Sequence, residues 1–130
     1  MVLIDTSLWI TYLNDSDDTI SKEMFDLIID DQVCICPTIM QELLQGCRSE
    51  NDFTNLAQRL DALQKLTTDP YLSAEGAAKL FFSLKKKGIS IRKSNDCLIA
   101  WTAIHFNIPL WHMDRDFDNI ARGSNLQLFN

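Results

Sequence analysis

Strands alternating with helices predict an α/β fold in three layers, with a short, mostly parallel sheet of four to five strands between the helices. Three observations carry this prediction. The chain opens on Met1-Val2-Leu3-Ile4, an apolar run without alternation, which suits a strand buried on both faces of a parallel sheet. Similar short runs recur at Val33–Cys36 and Leu110–Met113, separated by stretches of helical periodicity. The stretch from Ser94 to about Phe106 is apolar nearly all round (Cys97, Leu98, Ile99, Ala100, Trp101, Ala103, Ile104), as expected of a helix buried at the centre.

The elements follow in order. After Asp5, residues Leu8 to Leu13 read as a short helix with Thr6 or Ser7 as its N-cap. Asn14–Asp18 is a polar break, after which Ile20, Met24, Leu27 and Ile28 recur at helical spacing. Asp30-Asp31-Gln32 turns the chain into the second strand, and Pro37-Thr38 ends that strand and opens a helix. Thr38 with Gln41 fits a capping box, hydroxyl and amide satisfying free N–H groups. Ile39, Leu43, Gly46 and Cys47 share one face of this helix, and Glu42 lies beside it. Phe53, Leu56, Ala57, Leu60 and Leu63 mark a further helix, and Leu66-Thr67-Thr68 a third, short strand. Ser73–Lys87 sets Ala77, Leu80, Phe81 and Leu84 on one face and stops at Gly88, a suitable C′ residue. Ser94 is expected to cap the buried helix, and Asn107-Ile108-Pro109 leads into the fourth strand, which ends on Asp114. Asp116–Ala121 makes a short helix, and Leu126–Phe129 is the candidate fifth strand, at an edge.

A chain of 130 residues with this composition is expected to form one domain, residues 1–130. No apolar run approaches the ~20 residues of a membrane span, and no basic segment precedes the first apolar run as in a secretory signal. A cytoplasmic location is the expectation. Cys34, Cys36, Cys47 and Cys97 lack the spacing of a zinc site and read as buried small hydrophobes. The net charge of −6 argues against a protein that simply coats nucleic acid, but not against an enzyme that acts on it.

Chemistry concentrates in the acids. In open α/β sheets, ligands bind outside the carboxyl ends of the strands. Asp5 and Asp114 end strands there, and Glu42 and Asp96 lie in helices that start beside the same edge. Singly, each has a plainer explanation: Asp5 and Asp114 as helix caps, Asp96 as a charge favourable to a helix N-terminus, Glu42 as a solvated helical residue. Together they form a set with no comparable group of Lys or Arg to pair it. At ~5 Å and an effective dielectric of ~20, each carboxylate pair costs roughly 3 kcal/mol. A hard divalent cation, Mg²⁺ or Mn²⁺, offsets that repulsion and points to phosphodiester hydrolysis.

Four stretches carry a family resemblance: Ile4-Asp5-Thr6-Ser7, Gln41-Glu42-Leu43-Leu44-Gln45-Gly46, Asn95-Asp96-Cys97-Leu98-Ile99-Ala100 and His112-Met113-Asp114-Arg115-Asp116-Phe117. In this order, across the whole chain, they resemble a PIN domain, and within that family the VapC-type toxins of toxin–antitoxin pairs. The resemblance implies a Rossmann-like sheet and a Mg²⁺- or Mn²⁺-dependent endoribonuclease. It also implies a homodimer inhibited by a small cognate antitoxin that enters the active-site groove. Asp5 and Asp96 carry over as principal metal ligands, Asp114 as a ligand directly or through water, and Glu42 as the residue orienting water. Thr6 and Asp118 are accessory candidates. One position departs from the family: a Thr or Ser often stands two residues before the last aspartate, and here it is His112. His112 reads as a core histidine, with a donor role toward the aspartate as the other reading.

The one strongly basic run, with Lys85, Lys86, Lys87, Arg92 and Lys93, is the candidate contact for RNA phosphates, beside the plainer reading of a solvated helix end. Trp9 and Tyr12 are expected to pack rather than stack on bases. His105, late in its helix, reads as a charge favourable to the C-terminus. Leu44 or Phe82 are candidates for docking an antitoxin helix. The rivals are a PIN-like binding module without catalysis and an RNA-processing nuclease without an antitoxin. A phosphoacceptor receiver domain would need paired acids after the first strand and a late Lys, and the chain has neither.

Overall fold

A computed structural model describes residues 1–130. The elements run β1 (Val2–Ile4), α1 (Thr6–Leu13), α2 (Asp18–Ile29), β2 (Val33–Ile35), α3 (Pro37–Gln45), α4 (Glu50–Asp61), β3 (Gln64–Lys65), α5 (Pro70–Lys86), α6 (Ser94–His105), β4 (Leu110–Trp111) and α7 (Arg115–Arg122). The four strands are parallel, in the order β3-β2-β1-β4. Val2, Leu3 and Ile4 are at most 1% exposed, because β1 has a strand on each side and helices over each face. The unbroken apolar run at the start of the chain is the sequence signature of that position.

With β1 central, every loop leaving the carboxyl end of a strand opens on one edge. Asp5, Cys36 and Asp114 are the cap residues of α1, α3 and α7, the helices that follow β1, β2 and β4. The positive ends of three helix dipoles therefore point at the edge where the acids lie.

α6 is the buried helix the sequence called for: Cys97, Ile99, Ala100, Thr102 and Ala103 are all buried. Its partner is α5, which crosses it at Gly76. A Cβ at position 76 would stand 2.0 Å from Nε1 of Trp101, whose ring is stacked on His105 at 4.7 Å. Gly76→Ala is therefore expected to cost about 2 kcal/mol or more, by forcing the indole out or the helices apart. Urea unfolding of the two proteins measures it, and an unchanged midpoint would mean that Trp101 moves freely.

α5 ends as expected: Gly88 takes φ +80°, its N–H bonds to the Lys85 carbonyl, and the Ile89 N–H reaches back to Leu84. Trp9 is buried and meets Tyr12 edge-on, as packing rather than stacking requires. All four cysteines are free, and three of them are buried.

Several local expectations are corrected. Neither Thr6 nor Ser7 caps α1: the backbone of Asp5 is still extended (ψ 158°), so the helix begins at Thr6, two residues before Leu8, and Asp5 is the cap. The Thr38–Gln41 capping box does not form, because Pro37, its φ already helical, starts α3 and leaves Cys36 as the cap. Ser94 is the first residue of α6, after Lys93. β3 lies two residues before Leu66: Gln64 and Lys65 pair through their backbones with exposed side chains, and Leu66 only adds one bond to Ile35 before burying itself. A hydrophobic pattern cannot reveal such a strand. β4 is two residues long, and Leu126–Phe129 contributes a single parallel bridge, Leu110 to Leu128, rather than a strand.

Candidate active site

Asp5 leaves β1 directly into α1 and is only 6% exposed. Burial raises its pKa above the ordinary carboxylate value; the Thr6 N–H, the Ser7 hydroxyl and the Ser7 N–H pull the other way, and Glu42 adds to the rise. The Ser7 hydroxyl donates to Asp5 Oδ2 at 3.1 Å. Glu42 reaches the same edge from α3, where the Thr6 hydroxyl donates to its Oε1 at 2.8 Å. Asp5, Thr6 and Glu42 thus form one side of the site, with α1 and α3 locked together by that hydroxyl.

The other side is more acidic. Asp96, Asp114 and Asp116 bring carboxylate oxygens within 4.8 Å of one another. Asp96 comes from the first turn of α6 and is 5% exposed; Asp116, in the first turn of α7, is 7% exposed. Asp96 Oδ2 is fully buried and has no hydrogen-bond partner. Its pKa is pushed up to about 6 by burial first, against the pull of Lys93, and then by Asp114, Asp5 and Asp116. Asp114 behaves oppositely. Its Oδ1 accepts the Asp116 N–H at 2.9 Å, and that bond, with Lys93 and Arg92 nearby, holds its pKa below the usual range despite some burial.

Two cations attend this cluster, although the sequence showed no comparable group of Lys or Arg at that edge to pair the acids. Lys93 Nζ lies 3.4 Å from Asp114 Oδ2, and Arg92 Nη2 lies 3.4 Å from Asp116 Oδ2. Asp96, Asp114 and Asp5 raise the pKa of Lys93. Spacing hid the contact, since Lys93 and Arg92 are near in sequence to Asp96 but 21 and 24 residues from Asp114 and Asp116. The rest of the basic run lies elsewhere. Lys85 and Lys86 are exposed at the end of α5, Lys86 over the Phe82 ring at 4.7 Å, while Lys87 donates to the Gly123 carbonyl at 2.7 Å.

Asp118 turns away from the cluster. It is exposed, and its Oδ1 lies 3.2 Å from His112 Nε2. Asp116 takes the inward position and was missed, because two acids two apart on one helix cannot share a face and nothing local says which faces in. Phe117, fully buried between them, fixes the rotation of α7.

An all-oxygen donor set of three close carboxylates, one of them carrying a buried oxygen that no protein group satisfies, fits a hard divalent cation. The two surface ammonium and guanidinium contacts at 3.4 Å leave Asp96 Oδ2 unmet.

Sheet and site together define a parallel α/β domain with a carboxylate centre at the carboxyl edge of its strands. A profile of the PIN domain matches residues 2–123, and the chain belongs to the PIN-domain family. Among characterised relatives, it is 34% identical over 129 residues to Ribonuclease VapC11 of Mycobacterium tuberculosis and equally to VapC ribonuclease Mb1587 of Mycobacterium bovis, covering 98% of this chain and 96% of each relative. Among solved structures, the fold is similar to a chain of VapBC2 from Rickettsia felis bound to a DNA fragment from its promoter, with TM-score 0.78, 23% identity and coverage of 100% and 98%. It is likewise similar to VapBC-1 from nontypeable Haemophilus influenzae, with TM-score 0.75, 20% identity and coverage of 100% and 98%. No helix is long and apolar enough to cross a membrane.

Proposed function

We propose that this chain is an endoribonuclease dependent on Mg²⁺ or Mn²⁺, and the toxin of a type II toxin–antitoxin pair. The observation that carries the reading is the unpartnered Asp96 Oδ2 inside a set of three converging carboxylates. The near-full-length similarity to VapC ribonucleases supports RNA as the substrate, and the similarity to VapBC assemblies supports a small cognate antitoxin as the partner. A homodimer working in the cytoplasm completes the proposal.

Asp96, Asp114 and Asp116, whose carboxylates converge, would hold the cation together with Asp5, whose charge also bears on Asp96. When bound, the cation supplies charge neutralisation at the phosphate and acidifies water. The remaining roles belong to side chains. Glu42, held by the Thr6 hydroxyl, accepts a hydrogen bond from the attacking water and fixes its direction. Lys93 and Arg92, with side chains 60% and 76% exposed, swing from Asp114 and Asp116 to the phosphates of the RNA backbone. Lys85 and Lys86 extend that basic track. A groove of about 700 Å³ between α1, α3 and α4, floored by Leu13, Leu43 and Leu56 and edged by Arg48 and Arg59, opens at Glu42 and suits the antitoxin.

No base stands ready for a ribose 2′-hydroxyl, since the one histidine nearby has its Nδ1 engaged by the Asp114 N–H. Cleavage should therefore leave 5′-phosphate and 3′-hydroxyl ends. Total RNA treated with the purified chain and Mn²⁺ should be cut, and EDTA should stop the reaction. End-labelling that reveals 2′,3′-cyclic phosphates would overturn the hydrolytic scheme. No cutting of any RNA would favour a binding module.

A further inference from the structure

His112 leaves β4 two residues before Asp114, and its side chain is 9% exposed. Both ring nitrogens are engaged. Nδ1 accepts the Asp114 backbone N–H at 3.0 Å, and Nε2 lies 3.2 Å from Asp118 Oδ1. A neutral imidazole has one N–H and one lone pair. Because Nδ1 must accept, the proton sits on Nε2 and is donated to Asp118. The other tautomer would set N–H against N–H at Asp114 and a lone pair against a carboxylate at Asp118. The buried Phe117 ring, 5.4 Å away, packs against the imidazole and holds its plane.

We infer that His112 is a positioning residue for Asp114, and that Asp118 is the group that locks its tautomer. The inference rests on the proposal that Asp114 helps to hold the cation. The cap residue of α7 is then fixed at two points. His112 ties down its backbone N–H, while the Asp116 N–H holds its carboxylate Oδ1 at 2.9 Å. Oδ2 is left to face Lys93 and the cluster. Outer groups that orient a ligand commonly matter about 10–100-fold in metal affinity. Asp118 acquires a role without joining the acidic cluster. Its carboxylate acts through the ring, some distance from the acids it was expected to join.

Four variants of the full chain separate this role from plain packing, each titrated calorimetrically with Mn²⁺. His112→Phe keeps the ring volume and removes the acceptor, and should weaken Mn²⁺ binding about tenfold or more. His112→Asn places its amide oxygen near the position of Nδ1 and should recover most of that loss. Asp118→Ala should weaken binding severalfold, and the imidazole ¹⁵N shifts of His112 should move from a pure Nε2–H pattern to a mixture of tautomers. Asp114→Asn gives the reference loss. The inference is overturned if His112→Phe binds Mn²⁺ as the wild type does while Asp114→Asn does not. It is also overturned if the wild-type ring carries its proton on Nδ1. If His112→Phe fails to fold, an Asp118→Ala variant that keeps both the pure Nε2–H pattern and wild-type affinity overturns it equally. Wild-type affinity in Asp114→Asn would remove Asp114 from the site, and the inference would fall together with the reading it rests on.

Discussion

Asp96→Asn is expected to abolish turnover and, in the metal-free chain, to make the protein more stable than the wild type. The two effects have one cause. Asp96 Oδ2 is buried, unpartnered and surrounded by Asp5, Asp114 and Asp116. Its folded pKa of about 6 lies above the ordinary 3.8. A raised pKa means that the folded state binds the proton more tightly than the unfolded chain. Its contribution is thus complete below pH ~4 and is lost as pH rises through about 6. Above that pH, an ionised Asp96 costs on the order of 3 kcal/mol until a cation arrives. Asparagine removes the charge, keeps the shape and offers an N–H₂ to the neighbouring carboxylates. In EDTA at pH 7.5, thermal unfolding of the variant should therefore occur roughly 10 °C higher, and the gap should close toward pH 4. Mn²⁺ should stabilise the wild type by mass action and leave the variant unmoved. Because one proton must leave Asp96 first, wild-type Mn²⁺ affinity should fall as pH drops below about 6. A variant less stable than the wild type in EDTA would mean that something other than a cation already satisfies that oxygen.

The sequence was most informative where one physical demand acts on consecutive residues. β1 is buried on all sides and α6 over most of its length, and their apolar runs said so directly. The acids at Asp5, Glu42, Asp96 and Asp114 were placed at one edge because strand ends are fixed by topology, and all four lie at that edge. What could not be read depended on orientation or on long-range contact. The edge strand β3 pairs through backbone atoms alone, so the apolar signal sat on Leu66 beyond it. The caps of α1, α3 and α6 were each placed one residue late or more, because a hydroxyl near a helix start is only one way to satisfy its N–H groups. Arg92 and Lys93 looked like one basic surface with Lys85–Lys87. The tight turn at Gly88 separates them and sends the later pair onto acids of α7. His112 read as a core histidine, and it is half-buried beside Phe117; its contact with Asp114 was invisible because the acceptor is a ring nitrogen and the donor is backbone.

Asp116→Asn is expected to lower the rate of RNA cleavage roughly 100-fold, whereas Asp118→Asn should lower it only a few-fold. The pair of variants tests the rotation of α7 more sharply than any single one. Residues two apart on a helix point about 200° from each other, so only one of these acids can face the cluster. Phe117, with no exposed surface, decides which: with its ring in the core, Asp116 turns toward Asp96 and Asp114 and Asp118 turns toward solvent and His112. Asparagine at 116 removes one of three converging carboxylates and one of the charges that lift the Asp96 pKa. Its second partner, Arg92, is largely exposed and loses little when left alone. At 118, asparagine retains an oxygen that can accept the His112 Nε2–H, so both the tautomer and the placement of Asp114 should survive. Single-turnover cleavage of one RNA at saturating Mn²⁺ gives the two ratios. Equal losses would put both acids at the site and require a helix unwound at Phe117. A larger loss at 118 would reverse the assignment, making Asp116 the partner of Arg92 and nothing more.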